Sequence, residues 1–169
     1  MQKKVFQMLV DNTSGVLSRI SGLFSRRGYN IECITAGNTS DPRYSRVTIV
    51  TIGDDEVLEQ IEKQLYKLID VKEIKELKPS ESVYRELILL KIAAGAEQRQ
   101  SVIAVADIFR AKIVDVAPES LIIELTGTQE KIDAFISLLD GFEIIEQART
   151  GIVGLGRGTA HIMYNETNR

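Results

Sequence analysis

The segment with the best ligand-binding chemistry in the sequence is residues 11–17, Asp-Asn-Thr-Ser-Gly-Val-Leu. It stands where an apolar run ends and a helical pattern begins, so its backbone N–H groups are expected to be the unpaired amides of a helix start. Such amides attract a carboxylate with the help of the helix dipole. Gly15 lets a ligand approach the backbone closely, and Asn12 offers both a carbonyl and an amide. Val16 and Leu17 can supply an apolar wall, and the whole set fits a free aliphatic amino acid.

The same cluster also has a purely structural interpretation. Asparagine, threonine, serine and glycine are the residues that most often form turns and cap helices. Residues 12–15 could therefore do no more than end a strand and cap the helix that follows. The residue types alone leave both interpretations open.

Residue types that catalysis needs are scarce in this chain. His161 is its one histidine and Cys33 its one cysteine. Cys33 lies in a predicted strand with no histidine nearby, so we expect a small core residue there. Asp54 and Asp55 stand at a predicted helix start, where they stabilise the helix dipole. With no cysteine or histidine pair at metal-ligand spacing, we predict no catalytic residue, no metal site and no cofactor of the chain's own.

Composition disfavours several further classes of function. The chain has 169 residues, a net charge of −3 and 6% aromatic residues, which argue against nucleic acid as a partner. No apolar run approaches the ~20 residues that span a bilayer, and the start lacks a signal-peptide pattern, so we predict a cytoplasmic protein without a membrane partner. The glycine-rich residues 151–158 precede no helical pattern, which disfavours a nucleotide site there.

The elements that position these residues follow from hydrophobic periodicity. The first half predicts strands at residues 5–10, 30–37, 44–52 and 71–78, with one helix carrying Leu17, Ile20, Leu23 and Phe24 and a second carrying Val57, Ile61 and Leu65. The second half predicts strands at residues 87–93, 112–116, 121–126 and 142–145, a helix at 98–110 and another that begins at Thr128. Residues 47–53 also align with residues 121–127, an offset of 74. Each half therefore reads βαββαβ, which predicts an α+β fold of two ferredoxin-like domains with helices on one face of each antiparallel sheet.

The predicted domain boundaries are residues 1–78 for the first domain, 79–84 for a linker, 85–158 for the second domain and 159–169 for a tail. In a βαββαβ fold one face of each sheet carries no helices. A bare face rich in valine and isoleucine is typical of a surface that pairs with another domain. We therefore expect a homodimer built through the first domain.

Residues 10–32 resemble the opening of the small regulatory subunits of acetohydroxyacid synthase (acetolactate synthase), a family of ACT-domain proteins. Further segments match the same family, namely residues 45–50, 58–65, 85–91, 108–116, 133–135 and 148–151. The likeness extends over nearly the whole chain, and motifs of this length are specific. The departures are Gly37-Asn38, in a region that varies in the family, and the tail after Gly158, which has no match.

The resemblance implies a non-catalytic subunit. Family members bind and activate a catalytic subunit that depends on thiamine diphosphate, and that partner is expected to carry the thiamine diphosphate, Mg²⁺ and FAD. The catalytic subunit condenses pyruvate with pyruvate or 2-oxobutyrate, on the way to valine, leucine and isoleucine. Its sensitivity to feedback inhibition by a branched-chain amino acid, usually valine, comes from the small subunit.

The resemblance also implies the location of the effector site, between two ACT domains of a homodimer. The residues carried over are Asn12, Gly15, Val16 and Leu17 from one chain and Asn30 and Ile31 from the other. A different class of function shares this ligand site: a stand-alone ACT-domain amino-acid sensor that acts on another enzyme or on transcription. Only the protein partner distinguishes the two.

Overall fold

The structure is a computed structural model that describes residues 1–159, 161 and 162. Its contacts separate two units. The first contains Met1–Val83 together with the chain from Ile152 on, and the second is Tyr84–Gly151. No helix in the described part of the chain has the length and apolar character that crossing a membrane requires.

The first unit is a βαββαβ fold with an antiparallel four-stranded sheet in the order β2-β3-β1-β4. Its elements are β1 (Gln2–Asp11), α1 (Val16–Arg27), β2 (Cys33–Asn38), β3 (Tyr44–Gly53), α2 (Asp55–Tyr66) and β4 (Val71–Glu76). A 3₁₀ turn at Pro79–Glu81 follows.

The second unit repeats this order. Its elements are β5 (Ser82–Ala93, which begins in the first unit), α3 (Ala96–Ile108), β6 (Lys112–Ala117), β7 (Ser120–Gly127), α4 (Gln129–Leu138) and β8 (Ile144–Arg149). The antiparallel strand order is β6-β7-β5-β8, and a short strand, β9 (Val153–Gly156), pairs with β5. The predicted α+β class with two βαββαβ domains is confirmed.

Helices α2 and α4 begin with the same local chemistry. The Asp54 carboxylate accepts a hydrogen bond from the Val57 N–H at 2.9 Å, and the Thr128 hydroxyl accepts one from the Lys131 N–H at 3.4 Å. Each cap satisfies one of the unpaired amides of its helix start. The two caps are 74 residues apart, which is the offset of the sequence repeat, so the same β–helix unit occurs in both halves.

Each unit has its own core between the helices and one face of its sheet. Side chains of the first core that are 0–1% exposed include Phe6, Met8, Ile20, Phe24, Ile49, Leu58, Ile61 and Leu65. The second core includes Ile88, Leu90, Ile92, Val102, Ile123, Ile132 and Phe135, all fully buried. The alternate residues of the strands supply these sets, as the period of a strand requires.

Three predicted boundaries differ from the observed ones. Strand β2 begins at Cys33 rather than residue 30, because the Tyr29 N–H still closes α1 on the Phe24 carbonyl at 2.9 Å. Strand β8 begins at Ile144 rather than residue 142, because the Phe142 N–H bonds the Leu139 carbonyl at the end of α4. The predicted linker 79–84 is only the 3₁₀ turn, since strand β5 is already formed from Ser82.

The expectation of a bare face on the first sheet was wrong. Val5, Gln7 and Leu9 alternate with the core residues of β1, yet they are only 2–6% exposed. The chain from Ile152 on groups with this unit rather than with the second, where the sequence placed residues 152–158. Because Ile152 is itself buried and the Arg157 N–H bonds the Glu81 carbonyl at 2.7 Å, residues 152–157 are a structured part of the first unit. The predicted tail, 159–169, lies mostly outside the described residues.

Candidate functional site

Helix α1 starts without a side-chain cap. Its N-cap residue is Gly15, and neither Thr13 nor Ser14 bonds an amide of the first turn among the described residues. No acidic residue stands in that turn. Residues 12–15 therefore supply the N-cap residue, Gly15, but no side-chain cap. The N–H groups of the first turn remain open to a ligand, and the helix dipole favours an anionic one.

Gly15 is required by its backbone conformation and by its surroundings. Its φ is +87°, in the left-handed region that favours glycine. A Cβ atom built on Gly15 would lie 2.8 Å from Nη1 of Arg19, one helical turn further along. No side chain fits there unless the guanidinium moves.

Asn12 is held in place by the polypeptide around it. Its N–H bonds the Arg43 carbonyl at 2.8 Å. Its Nδ2 donates to the Pro42 carbonyl at 3.0 Å, and its Oδ1 accepts from the Ser45 hydroxyl at 3.0 Å. An amide group has two N–H donors and an oxygen with two lone pairs. The fixed side chain therefore keeps one donor and one lone pair for a ligand.

Two ion pairs connect the end of β1 and the first turns of α1 to the start of β4, and the sequence alone did not indicate either. Arg19 donates two hydrogen bonds to Asp70, Nε to Oδ2 at 2.5 Å and Nη2 to Oδ1 at 2.9 Å. Lys72 Nζ lies 2.9 Å from Oδ2 of Asp11. The hydrogen bond from Arg19 lowers the pKa of Asp70 below its ordinary value. Arg19 stands four residues after Gly15 and so on the same helix face, which is the only signal that could have pointed to it.

The pair between Arg19 and Asp70 predicts a dependence of stability on pH. The pKa of Asp70 is lowered on folding. The ion pair therefore stabilises the first unit at pH values above the unfolded-state pKa of about 3.9. This stabilisation is lost as the pH falls through the folded-state pKa of Asp70. We expect Asp70→Asn to lower the urea midpoint of unfolding at pH 7, and the gap from wild type to shrink below about pH 4. Asp107→Asn, at an exposed carboxylate in α3, is the control. A gap that does not change with pH would contradict the ionic role of Asp70.

The two predicted apolar residues have different environments. Val16 is 4% exposed and belongs to the core of the first unit, so its side chain is not available to a ligand. Its backbone N–H stands at the helix start. Leu17 is 47% exposed, and it is the one of the two that can form an apolar wall.

Asn30 and Ile31 lie at the opposite end of α1 from Gly15. The Asn30 carbonyl accepts a hydrogen bond from the Thr51 hydroxyl at 2.7 Å, and Ile31 is partly buried against the core. Helix α1 has 12 residues, which corresponds to a length of about 18 Å. A single chain therefore does not bring the two predicted halves of the site together.

The residues with metal-binding or nucleophilic chemistry are dispersed. Within residues 1–159, 161 and 162, no three His, Cys, Asp or Glu side chains form a group that could hold a metal ion. Cys33 is half-buried on the edge strand β2, and its Sγ lies 3.9 Å from the Thr35 hydroxyl. The expectation of a buried core cysteine was therefore wrong, because β2 has a neighbour on one side only.

Two family models match the chain, and together they cover most of it. Residues 6–73 match the AHAS small subunit-like ACT domain. Residues 85–158 match the family described as the small subunit of acetolactate synthase. This chain belongs to the acetolactate synthase small-subunit family. The resemblance identified from residues 10–32 is thereby confirmed.

Individual small subunits of acetolactate synthase are similar over nearly their whole length. The isozyme 3 small subunits of Salmonella typhimurium and Escherichia coli are each 50% identical over 157 residues, which is 92% of this chain and 96% of theirs. The crystal structure of the acetolactate synthase small subunit from Thermotoga maritima has 42% sequence identity and a TM-score of 0.88. The alignment covers 95% of this chain and all of that one.

Proposed function

We propose that the chain is the regulatory subunit of an acetolactate synthase. It activates a catalytic subunit that depends on thiamine diphosphate and makes that enzyme subject to feedback inhibition by valine. The thiamine diphosphate, Mg²⁺ and FAD belong to the catalytic partner, and the complex works in the cytoplasm on the route to the branched-chain amino acids. The names of the relatives support the assignment to this enzyme.

The observation that carries the valine site is the uncapped start of α1 at Gly15. The amides of the first turn bind the carboxylate of the amino acid, and the remaining lone pair of Asn12 accepts from its ammonium group. Leu17, which is exposed, contacts the aliphatic side chain. This arrangement leaves one side of the ligand uncovered, and a second copy of the chain covers that side.

The register of the sheet supports one arrangement in which a second copy would complete the site. Strand β2 is the edge of the sheet. At one end of β2, Asn38 pairs with Ser45, whose hydroxyl bonds Asn12. The other end of β2 begins at Cys33, three residues after Asn30. A second copy that pairs antiparallel along the outer side of β2 runs in the opposite direction. It therefore brings its own Asn30 beside the Asn12 cluster of the first chain, and two-fold symmetry makes two such sites.

Asn30→Ala tests the contribution of the second chain. We expect the dissociation constant of valine to rise by about tenfold, because one hydrogen bond to a charged ligand is lost. The backbone carbonyl of Asn30 keeps its bond from Thr51, so the fold is retained. Titration calorimetry on the isolated chain measures the constant, and Gln60→Ala on the exposed side of α2 is the control. Unchanged affinity in Asn30→Ala would remove this residue from the site.

Reconstitution tests the proposed function as a whole. The purified chain is mixed with the thiamine-dependent catalytic subunit, and acetolactate formation is followed while valine, leucine and isoleucine are titrated separately. We expect activation on mixing and inhibition by valine. Valine binding without any effect on the catalytic subunit would instead favour the stand-alone sensor, and a pull-down from cell extract would identify its partner.

A further inference from the structure

A cavity in the first unit lies far along the chain from the start of α1. It has a volume of about 410 Å³ and forms where β4 leads into the 3₁₀ turn and the end of β9 returns beside it. The hydrogen bond from the Arg157 N–H to the Glu81 carbonyl, at 2.7 Å, joins the two segments. The cavity is therefore built by two parts of the chain more than 70 residues apart, and neither belongs to the valine site.

The charges around this cavity are mainly positive. Lys75, Lys78 and Arg157 line it, and none of the three has an ion pair among the described residues. Glu76 also lines it, but its carboxylate is 2.9 Å from Lys4 Nζ and is already neutralised. Glu81 is the one remaining carboxylate. In the described lining, three cations without an ion pair therefore accompany one unpaired carboxylate, although the chain as a whole is acidic.

Ser82 adds a hydroxyl to the lining of this cavity. This residue is only 5% exposed and lines the cavity. In the described part of the chain its hydroxyl has no hydrogen-bond partner. The Ser82 hydroxyl is not a fully buried polar atom, since Arg99 Nε is the one such atom without a partner among the described residues, and the hydroxyl can donate to a ligand oxygen in the cavity.

We propose that this cavity binds a small phosphate-bearing anion. A guanidinium offers two parallel N–H donors that match two phosphate oxygens, and lysines add point charges. Arg157 is assigned the paired contact, Lys75 and Lys78 the remaining charge, and Ser82 a hydrogen bond to a third oxygen. A diphosphate fits the number of cations better than a monoanion, because three positive charges exceed what one carboxylate can balance.

The test is titration calorimetry of the full chain with inorganic pyrophosphate, at an ionic strength kept constant with NaCl. We expect saturable binding, and we expect Arg157→Gln and Lys78→Gln each to raise the dissociation constant by about tenfold. Ser82→Ala weakens binding, and Glu81→Gln strengthens it because a repelling carboxylate is removed. A parallel titration with ADP distinguishes the source: equal constants indicate a free diphosphate, and tighter binding of ADP indicates a nucleotide.

Lys67→Gln is the matched control. Lys67 lies at the end of α2, outside this cavity, and the variant removes the same charge from the same unit. Its dissociation constant for pyrophosphate should equal that of wild type. Heats no greater than those of matched NaCl would overturn the proposal, and so would an equal loss in Lys67→Gln and Arg157→Gln. Because the valine response is measured separately, neither result bears on the regulatory function.

Discussion

Gly15→Asp should abolish inhibition by valine while the catalytic subunit is still activated. The new carboxylate occupies the position where the amides of the first turn would bind the carboxylate of valine, and it repels that group. With about two charged hydrogen bonds lost, we expect the dissociation constant of valine to rise at least about 100-fold. Activity of the reconstituted enzyme, with and without valine, measures both effects in one assay. Full inhibition retained in this variant would refute the site.

Two further variants separate charge from backbone strain in this experiment. Gly15 has φ +87°, so any side chain there costs roughly 1–2 kcal/mol and must displace Arg19. Gly15→Asn carries this strain without the charge, and it should weaken valine binding less than Gly15→Asp. Gly141→Asp introduces both the backbone strain and the negative charge in the second unit. Gly141 has φ +99°, and a Cβ atom built on it meets nothing within 4 Å. This variant should leave the valine response unchanged. If Gly141→Asp also lost the valine response, the effect of Gly15→Asp would be one of stability rather than of the site.

What could be predicted from the sequence is mostly what nearby residues determine. The caps of α2 and α4 follow from Asp54 and Thr128, each three residues before the amide it binds. The end of α1 follows from Gly28, which adopts the left-handed conformation at φ +69°. These signals act within one helical turn, and the topology of two βαββαβ units follows from their order along the chain.

What could not be predicted depends on residues that only the fold brings together. Asp70 binds Arg19 across 51 positions of sequence, and nothing local to either residue indicates the other. The missing cap of α1 was also not predictable, because serine and threonine beside Gly15 are good cap residues by type. Gly15 adopts the left-handed conformation, which sets the direction in which the chain enters the helix. In this direction the side chains of Thr13 and Ser14 make no hydrogen bond to the amides of the first turn.

Ile34→Lys should dissociate the proposed dimer. Ile34 lies on the edge strand β2, opposite the core residue Ile49, and it is 40% exposed in the single chain. Apolar exposure on an unpaired edge is typical of a strand that another chain covers, and a lysine there opposes such pairing. The variant loses apolar burial at the interface, and its two lysines repel each other near the two-fold axis. Together these effects weaken the free energy of dimer association by ~3 kcal/mol, which raises the dimer dissociation constant about 100-fold. Sedimentation equilibrium measures it.

The same variant connects the proposed dimer to the effector, because in the proposed site Asn30 reaches the Asn12 cluster from a second chain. Monomeric Ile34→Lys should bind valine weakly even though every residue proposed to contact valine is unchanged. High protein concentration should restore binding, since it repopulates the dimer by mass action. Ile69→Lys changes an isoleucine that is 73% exposed in the loop between α2 and β4, and it should alter neither association nor affinity. A monomeric Ile34→Lys that binds valine as tightly as wild type would show that one chain suffices, and the proposed contribution of Asn30 and Ile31 from a second chain would then be wrong.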